Sequence, residues 1–271
     1  MKKIIGYIVL FACSITVNAQ TAKLPKNKHK FIVIAHRGDH LEVPENTIAA
    51  YKKGIEHDVD YVEIDLRTTK DSVLVIMHDA TVNRMTNGTG KISDLTYAQI
   101  RQLKVMDKTK DSTKTYPVPT FEEVLKTCHN KIYIYLDYKD ADVQQAYTMI
   151  KKYGMEKQMI VYINKPSQYT DWRRIAPAMP LMLSLPETVK TVDGLHTFLT
   201  KTPIDVLDGD YSDYTAEIVQ AATAAGVIPW PDIQSDGEAN NWDTALAMGF
   251  KGLQTNHPAA LIAYLKSKGL R

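Results

Sequence analysis

Phe31-Ile32-Val33-Ile34-Ala35 and Tyr61-Val62-Glu63-Ile64-Asp65-Leu66 decide how this chain is read. The first is a continuous apolar run rich in β-branched residues, the pattern of a strand buried on both faces of a parallel sheet. Between the two, Asn46 or Thr47 can cap a helix through Tyr51 to Ile55, and Gly54 with Asp58 ends it. That is a β-α-β unit. Outward from it, apolar runs recur at 73–77, 132–136, 159–163, 181–185, 204–207, 227–230 and 252–254. Most alternate with helical patterns at 120–128, 143–153, 167–175, 189–199, 216–225, 239–248 and 259–266. Alternation over the whole chain predicts a closed (β/α) barrel forming one domain over 31–271. Residues 79–119 break the rhythm with Thr86-Asn87-Gly88-Thr89-Gly90, a short helical pattern near Tyr97 to Leu103 and a polar stretch from Asp107 to Thr115. They read as an insertion over the barrel mouth.

The 271 residues are 44% hydrophobic and 24% charged, an ordinary globular balance with material for one large core. A formal net charge of +2 and dispersed Lys and Arg exclude a nucleic-acid footprint. Met1-Lys2-Lys3, the apolar stretch Ile4 to Val17 and then Val17-Asn18-Ala19 form a secretory signal over 1–19, cleaved near Ala19. The apolar stretch is shorter than the ~20 residues of a spanning helix, so no stable membrane span is expected and the mature protein is periplasmic or secreted. Leu10-Phe11-Ala12-Cys13 also resembles a lipoprotein signal with a lipidated Cys13, although Phe11 fits that pattern poorly. Residues 20–30, with Lys23, Lys26, Lys28 and Lys30, read as a solvated leader. If Cys13 leaves with the signal, Cys128 stands alone and no intrachain disulfide can form.

In an α/β barrel, functional groups collect at the carboxyl ends of the strands. His36-Arg37, Glu63 with Asp65, His78-Asp79, and Asp137 with Lys139 all occupy such positions. Glu63 and Asp65 are one residue apart, so on a strand they point to the same side. A lone pair of that kind reads as a solvated charge pair. Beside two strand-end histidines and Asp137 it reads as a divalent-cation site, and oxygen-only ligation favours Mg²⁺ or Ca²⁺ over Zn²⁺. His36 and His78, from different parts of the chain, can flank one phosphodiester, one accepting a proton and the other donating one. Lys139 can reach the phosphate from the same side as Asp137. Trp230 can pack over substrate at the mouth or be buried near the rim.

Ile34-Ala35-His36-Arg37-Gly38, Pro44-Glu45-Asn46-Thr47, Glu63-Ile64-Asp65, His78-Asp79, Arg84 and Thr86-Asn87-Gly88-Thr89-Gly90 together resemble the glycerophosphodiester phosphodiesterase family. The resemblance extends over nearly all of the mature chain. It implies a TIM (β/α)8 barrel that hydrolyses glycerophosphodiesters to sn-glycerol 3-phosphate and an alcohol with one divalent cation. It also implies His36 and His78 as the acid/base pair, Glu63 and Asp65 as metal ligands, and Arg37 and Lys139 as phosphate-binding groups. The glycerol hydroxyl next to the phosphate is then the internal nucleophile, giving a cyclic phosphate that water opens.

Three positions depart from the family pattern. Asp137-Tyr138-Lys139 replaces Glu-x-Lys, and the distantly similar spider-toxin phospholipases D carry Asp-x-Lys there, so Asp137 is expected to remain a metal ligand. Thr255-Asn256-His257-Pro258 has an amide where Thr-Asp-x-Pro is usual, which bears on substrate preference more than on catalysis. Trp230-Pro231-Asp232-Ile233 replaces Trp-Thr-x-Asn and reshapes the pocket wall. Two alternatives follow: a lysophospholipase D-like phosphodiesterase on the same scaffold, marked by a deep apolar groove, or a binding protein that has lost turnover.

Overall fold

The computed structural model describes residues 23–106 and 113–271, so the export-signal and Cys13 readings lie outside the described residues. Eight parallel strands make the barrel: β1 (Ile32–Ala35), β2 (Tyr61–Thr68), β4 (Tyr133–Tyr138), β5 (Met159–Ile163), β6 (Leu181–Ser184), β7 (Val206–Asp208), β8 (Ile228–Pro229) and β9 (Gly252–Thr255). The first and last strands pair, Ile34 beside Gln254, which brings the two ends of the fold together. Between β8 and β9 the ladder is reduced to a bridge from Asp232 to Gln254, because Pro229 and Pro231 lack the N–H groups a longer strand would need. The result is a nearly closed TIM barrel. Its helices are α1 (Ile48–Glu56), α2 (Tyr97–Ile100), α3 (Phe121–Cys128), α4 (Val143–Lys152), α5 (Pro166–Ile175), α6 (Val192–Lys201), α7 (Ala216–Ala224), α8 (Trp242–Ala247) and α9 (Pro258–Ser267).

Nine apolar runs were available for eight barrel positions, and the surplus one is β3 (Leu74–Ile76). It runs antiparallel to the outer end of β2, with Leu66 opposite Ile76, and is not a barrel strand. Apolarity alone could not separate it from the others, because its surroundings are dry: Val75 and Met77 join Val82, Met85, Ile92, Ile100, Val105 and Val118 in a small core of their own. The hairpin reverses the chain and returns His78 to the mouth.

Strand alternation divides the remaining core in two. Inward residues Ile32, Ile34, Tyr61, Tyr135, Ile160, Met182, Val206 and Trp230 fill the barrel. Their outward neighbours, such as Val33, Val62, Ile64, Ile134, Leu136, Val161 and Leu253, pack under the helices. Trp230 is fully buried and its ring lies 5.3 Å from that of Tyr61. Gly252 makes room for it, since a Cβ there would stand 2.4 Å from the indole. The expectation that Trp230 packs over substrate is therefore corrected: it is a plug beneath the site. In residues 23–30 the side chains of Lys23, Lys26, Lys28 and Lys30 are exposed, while parts of the segment also pack on the barrel. Pro25 is buried, Leu24 packs against the interior cluster, and the Lys26 carbonyl accepts a hydrogen bond from the Tyr133 hydroxyl at 2.7 Å.

On the same side, buried Asp60 accepts from Val33 N (2.9 Å) and Arg271 (2.5 Å) and pairs with His29 (2.7 Å), tying His29 and Arg271 to the β1–β2 unit. No helix among the described residues is long and apolar enough to cross a membrane. Truncating the plug, Trp230→Ala, is expected to lower the unfolding free energy by roughly 3–5 kcal/mol in urea denaturation, the cost of an unfilled aromatic site. An unchanged midpoint would contradict the interior role.

Candidate active site

Above the apolar plug the inward residues turn polar. His36, Arg37, Glu63, Asp65, His78, Asp137 and Lys139 line one cavity of about 300 Å³. The register explains the carboxylates: Asp65 stands opposite Asp137 across β2 and β4, and Glu63 is two residues back on the same face. One oxygen from each of the three lies within 4.8 Å of the others. Burial first, then the charges of Asp65 and Asp137, push the Glu63 carboxyl well above its usual range. Burial also opposes ionisation of Asp65, yet Lys139, His78 and Arg37 together hold that carboxyl below its ordinary value. Lys139 Nζ lies 3.1 Å from Asp65 Oδ1 and bonds Asp137 Oδ2, so one ammonium serves two carboxylates. An all-oxygen donor set of three carboxylates converging on one cavity fits a hard divalent cation.

Residues that sequence reading left without a role hold this cluster. Asn46 donates to Asp65 Oδ2 at 2.6 Å, while its own carbonyl oxygen accepts from the Tyr51 hydroxyl at 2.9 Å. Thr47, not Asn46, caps α1 by accepting from Ala50 N. Asn164 donates to Asp137 Oδ1 at 2.7 Å. The Arg37 backbone N–H donates to Glu63 Oε2 at 2.7 Å, and its guanidinium bonds Glu45 at 3.0 Å. Arg37 and Asn46 both adopt positive φ (53° and 54°), a sparsely populated region for residues with a side chain. Such strain is held by the bonds just named. Gly38, at φ 78°, lets the loop lie against α1, where a Cβ would sit 2.8 Å from that of Ala50.

The two histidines have unlike partners. His36 Nδ1 is 2.7 Å from Asn256 Oδ1, and burial, then Arg37, lower its pKa to about 3. His78 Nδ1 is 2.9 Å from an Asp79 carboxylate oxygen. Arg84, bonded to Asp79 at 2.8 and 3.0 Å, is the main cause holding the Asp79 pKa near 2 despite partial burial. Arg84 also reaches Glu45 at 2.7 Å, linking the 79–119 segment to the Arg37 loop. Asn256, read from sequence as a matter of substrate preference, instead touches a candidate acid/base residue.

The family model described as glycerophosphoryl diester phosphodiesterase matches residues 36–260. The chain belongs to the glycerophosphoryl diester phosphodiesterase family. Among relatives in that family, the glycerophosphodiester phosphodiesterase of Caldanaerobacter subterraneus subsp. tengcongensis is 31% identical over 250 residues, 89% of this chain and 100% of that one. The Bacillus subtilis glycerophosphodiester phosphodiesterase is 26% identical, with 84% of each chain covered. Among solved structures, that of the Agrobacterium tumefaciens glycerophosphodiester phosphodiesterase superposes with a TM-score of 0.77 at 23% identity, covering 86% of this chain and 99% of that one. An Oleispira antarctica phosphodiesterase solved with the product sn-glycerol-3-phosphate gives 0.76 at 19% identity, covering 87% and 96%. These two likenesses show the shared barrel.

The protein carries its acidic cluster at the barrel mouth, and Asn46 holds one arm of it, Asp65. Asn46→Ala is expected to weaken divalent-cation binding by roughly 10–100-fold, as loss of an outer-shell partner does. Isothermal titration calorimetry with Ca²⁺ measures this, and unchanged affinity would remove Asn46 from the site.

Proposed function

We propose that the protein hydrolyses glycerophosphodiesters to sn-glycerol 3-phosphate and an alcohol, with one divalent cation, Ca²⁺ or Mg²⁺, held by Glu63, Asp65 and Asp137. The observation that carries this reading is the convergence of those carboxylates, His36, His78, Arg37 and Lys139 on one cavity. Bound there, the cation supplies Lewis-acid stabilisation to oxygens of the diester as charge develops. Arg37 offers its buried Nε, which has no hydrogen-bond partner, and Lys139 an ammonium, to the phosphoryl oxygens.

The partners of the histidines divide their roles. An amide oxygen accepts from His36 Nδ1 and leaves Nε2 with its lone pair, so His36 takes the proton from the attacking hydroxyl. The Asp79 carboxylate, bonded to His78 Nδ1, orients that ring so that its Nε2 faces the leaving oxygen, to which His78 donates a proton. With the glycerol hydroxyl as nucleophile, its oxygen bonds phosphorus, the P–O bond to the alcohol breaks, and the cyclic phosphate is opened by water with the proton roles reversed. No residue lining the cavity is aliphatic among those described, which speaks against the lysophospholipase D alternative. Residues 1–19 place the reaction outside the cytoplasm in this proposal.

Purified protein with Ca²⁺ or Mg²⁺ is expected to release glycerol 3-phosphate from glycerophosphocholine, glycerophosphoethanolamine or glycerophosphoinositol. His36→Ala and His78→Ala are each expected to lower kcat by about 10²–10⁴-fold with the fold intact by circular dichroism. No turnover with any substrate or metal would reject the reading. Asn256→Asp tests the division of roles. A carboxylate beside His36 favours its charged form and raises its pKa, so the base is lost to protonation at higher pH. The acidic limb of the kcat/KM profile is expected to move up by about one pH unit or more; a limb that stays in place would unseat His36 as the base.

A further inference from the structure

The cavity wall on the β7–β9 side has its own chemistry. Asp208 ends β7, Asp232 follows β8 and Gln254 lies in β9, and all three line the cavity. Asp208 Oδ2 accepts from the Tyr135 hydroxyl at 2.7 Å, whereas Oδ1 is buried without a partner. Asp232 Oδ1 accepts from Gln234 Nε2 at 2.9 Å and from Gln254 Nε2. Those bonds orient the Gln254 amide so that its Oε1 is left buried and unpartnered. Asp208 and Gln254 are 4% and 3% exposed. Buried polar atoms in folded proteins nearly always find partners, so two adjacent to one cavity call for a ligand.

The free atoms are acceptors, and the wall carries carboxylates without a basic residue of its own. Burial, then the charge of Asp232, push the Asp208 carboxyl well above its usual range, and Asp232 itself is raised to about 6 by burial, against the bond from Gln254. A bound cation relieves that repulsion. A second divalent metal ion needs six or more oxygen ligands, and the described residues group only Glu63, Asp65 and Asp137 as a set of three carboxylates. A quaternary ammonium has charge and no N–H, and a hydroxyl has one donor and no charge. A primary ammonium has three donors and no acceptor, the complement of this wall.

We propose that Asp208, Asp232 and Gln254 form a head-group subsite for a primary ammonium, so that the enzyme prefers ethanolamine-type diesters to choline-type and neutral ones. This rests on the diesterase reading: the phosphate lies toward Arg37 and Lys139 and the ammonium at the opposite wall.

Steady-state kinetics of the full chain with Ca²⁺ on glycerophosphoethanolamine, glycerophosphocholine and glycerophosphoglycerol tests it. The kcat/KM for the ethanolamine ester is expected to exceed that for the choline ester by at least about tenfold, since both carry one positive charge and only the first has N–H donors. In Asp208→Asn, where the amide oxygen can still accept from Tyr135, that ratio is expected to fall severalfold; Gln254→Leu is expected to lower it too and serves if the first variant does not fold. Equal kcat/KM in the wild type, or a ratio unmoved by both variants, overturns the subsite. Failure to hydrolyse all three esters rejects the diesterase reading instead. Calorimetric titration of Ca²⁺-loaded protein with phosphoethanolamine and with phosphocholine then reads the subsite without turnover: tighter phosphoethanolamine binding upholds it and equal affinities overturn it. Two Ca²⁺ per chain would place a metal at this wall and overturn it as well.

Discussion

Asp65 and Asp137 face each other across adjacent parallel strands, with Glu63 one step below, so strand register forces three carboxylates into a buried space. Water cannot screen them there, and they cannot all be ionised without positive charge nearby. Much of the mouth answers that constraint. Lys139 bridges two of the carboxylates, the Arg37 backbone holds the third, and Asn46 and Asn164 fix one oxygen each of Asp65 and Asp137. The positive φ of Arg37 and Asn46 belongs to the same arrangement, local strain kept in place by the bonds it allows. The divalent cation proposed for this cluster would complete the charge balance without any new protein group.

Features governed by local periodicity were legible in the sequence. Alternation along 61–66 separates Glu63 and Asp65 from Val62, Ile64 and Leu66, and the structure puts the first set in the cavity and the second under the helices. His36 and His78 were legible because each follows an apolar run. What depends on partners distant in the chain was not. Leu74–Ile76 has the composition of a barrel strand, and only its pairing with the outer end of β2 shows otherwise. Trp230 has the same indole whether it covers a ligand or fills a barrel; the absent side chain at Gly252 decides for filling. Asn256 was visible as a departure from a motif, but its effect depends on a hydrogen bond to a residue 220 positions away.

That bond, set against the Asp79–His78 pair, gives the site its asymmetry. Two chemically identical rings have different surroundings: one leans on a neutral amide and the other on a carboxylate already committed to Arg84. Arg84 lies in the 79–119 segment and also bonds Glu45, so the segment takes part in the electrostatics of the mouth. The side of the cavity formed by Asp208, Asp232 and Gln254 differs in its chemistry. Its unpaired atoms are acceptors, where the near wall offers the Arg37 and Lys139 donors.

Asp60, at the amino ends of the strands, carries a consequence for how the molecule can be presented. It joins Arg271, the last residue, to the β1–β2 unit and pairs with His29, while Leu24 and Lys26 lie against the inner residues of the barrel floor. Both ends of the described fold therefore emerge on the side opposite the mouth. Tethering the protein to a bead or a surface through Arg271 leaves the cavity facing outward, open to diesters diffusing in from solution.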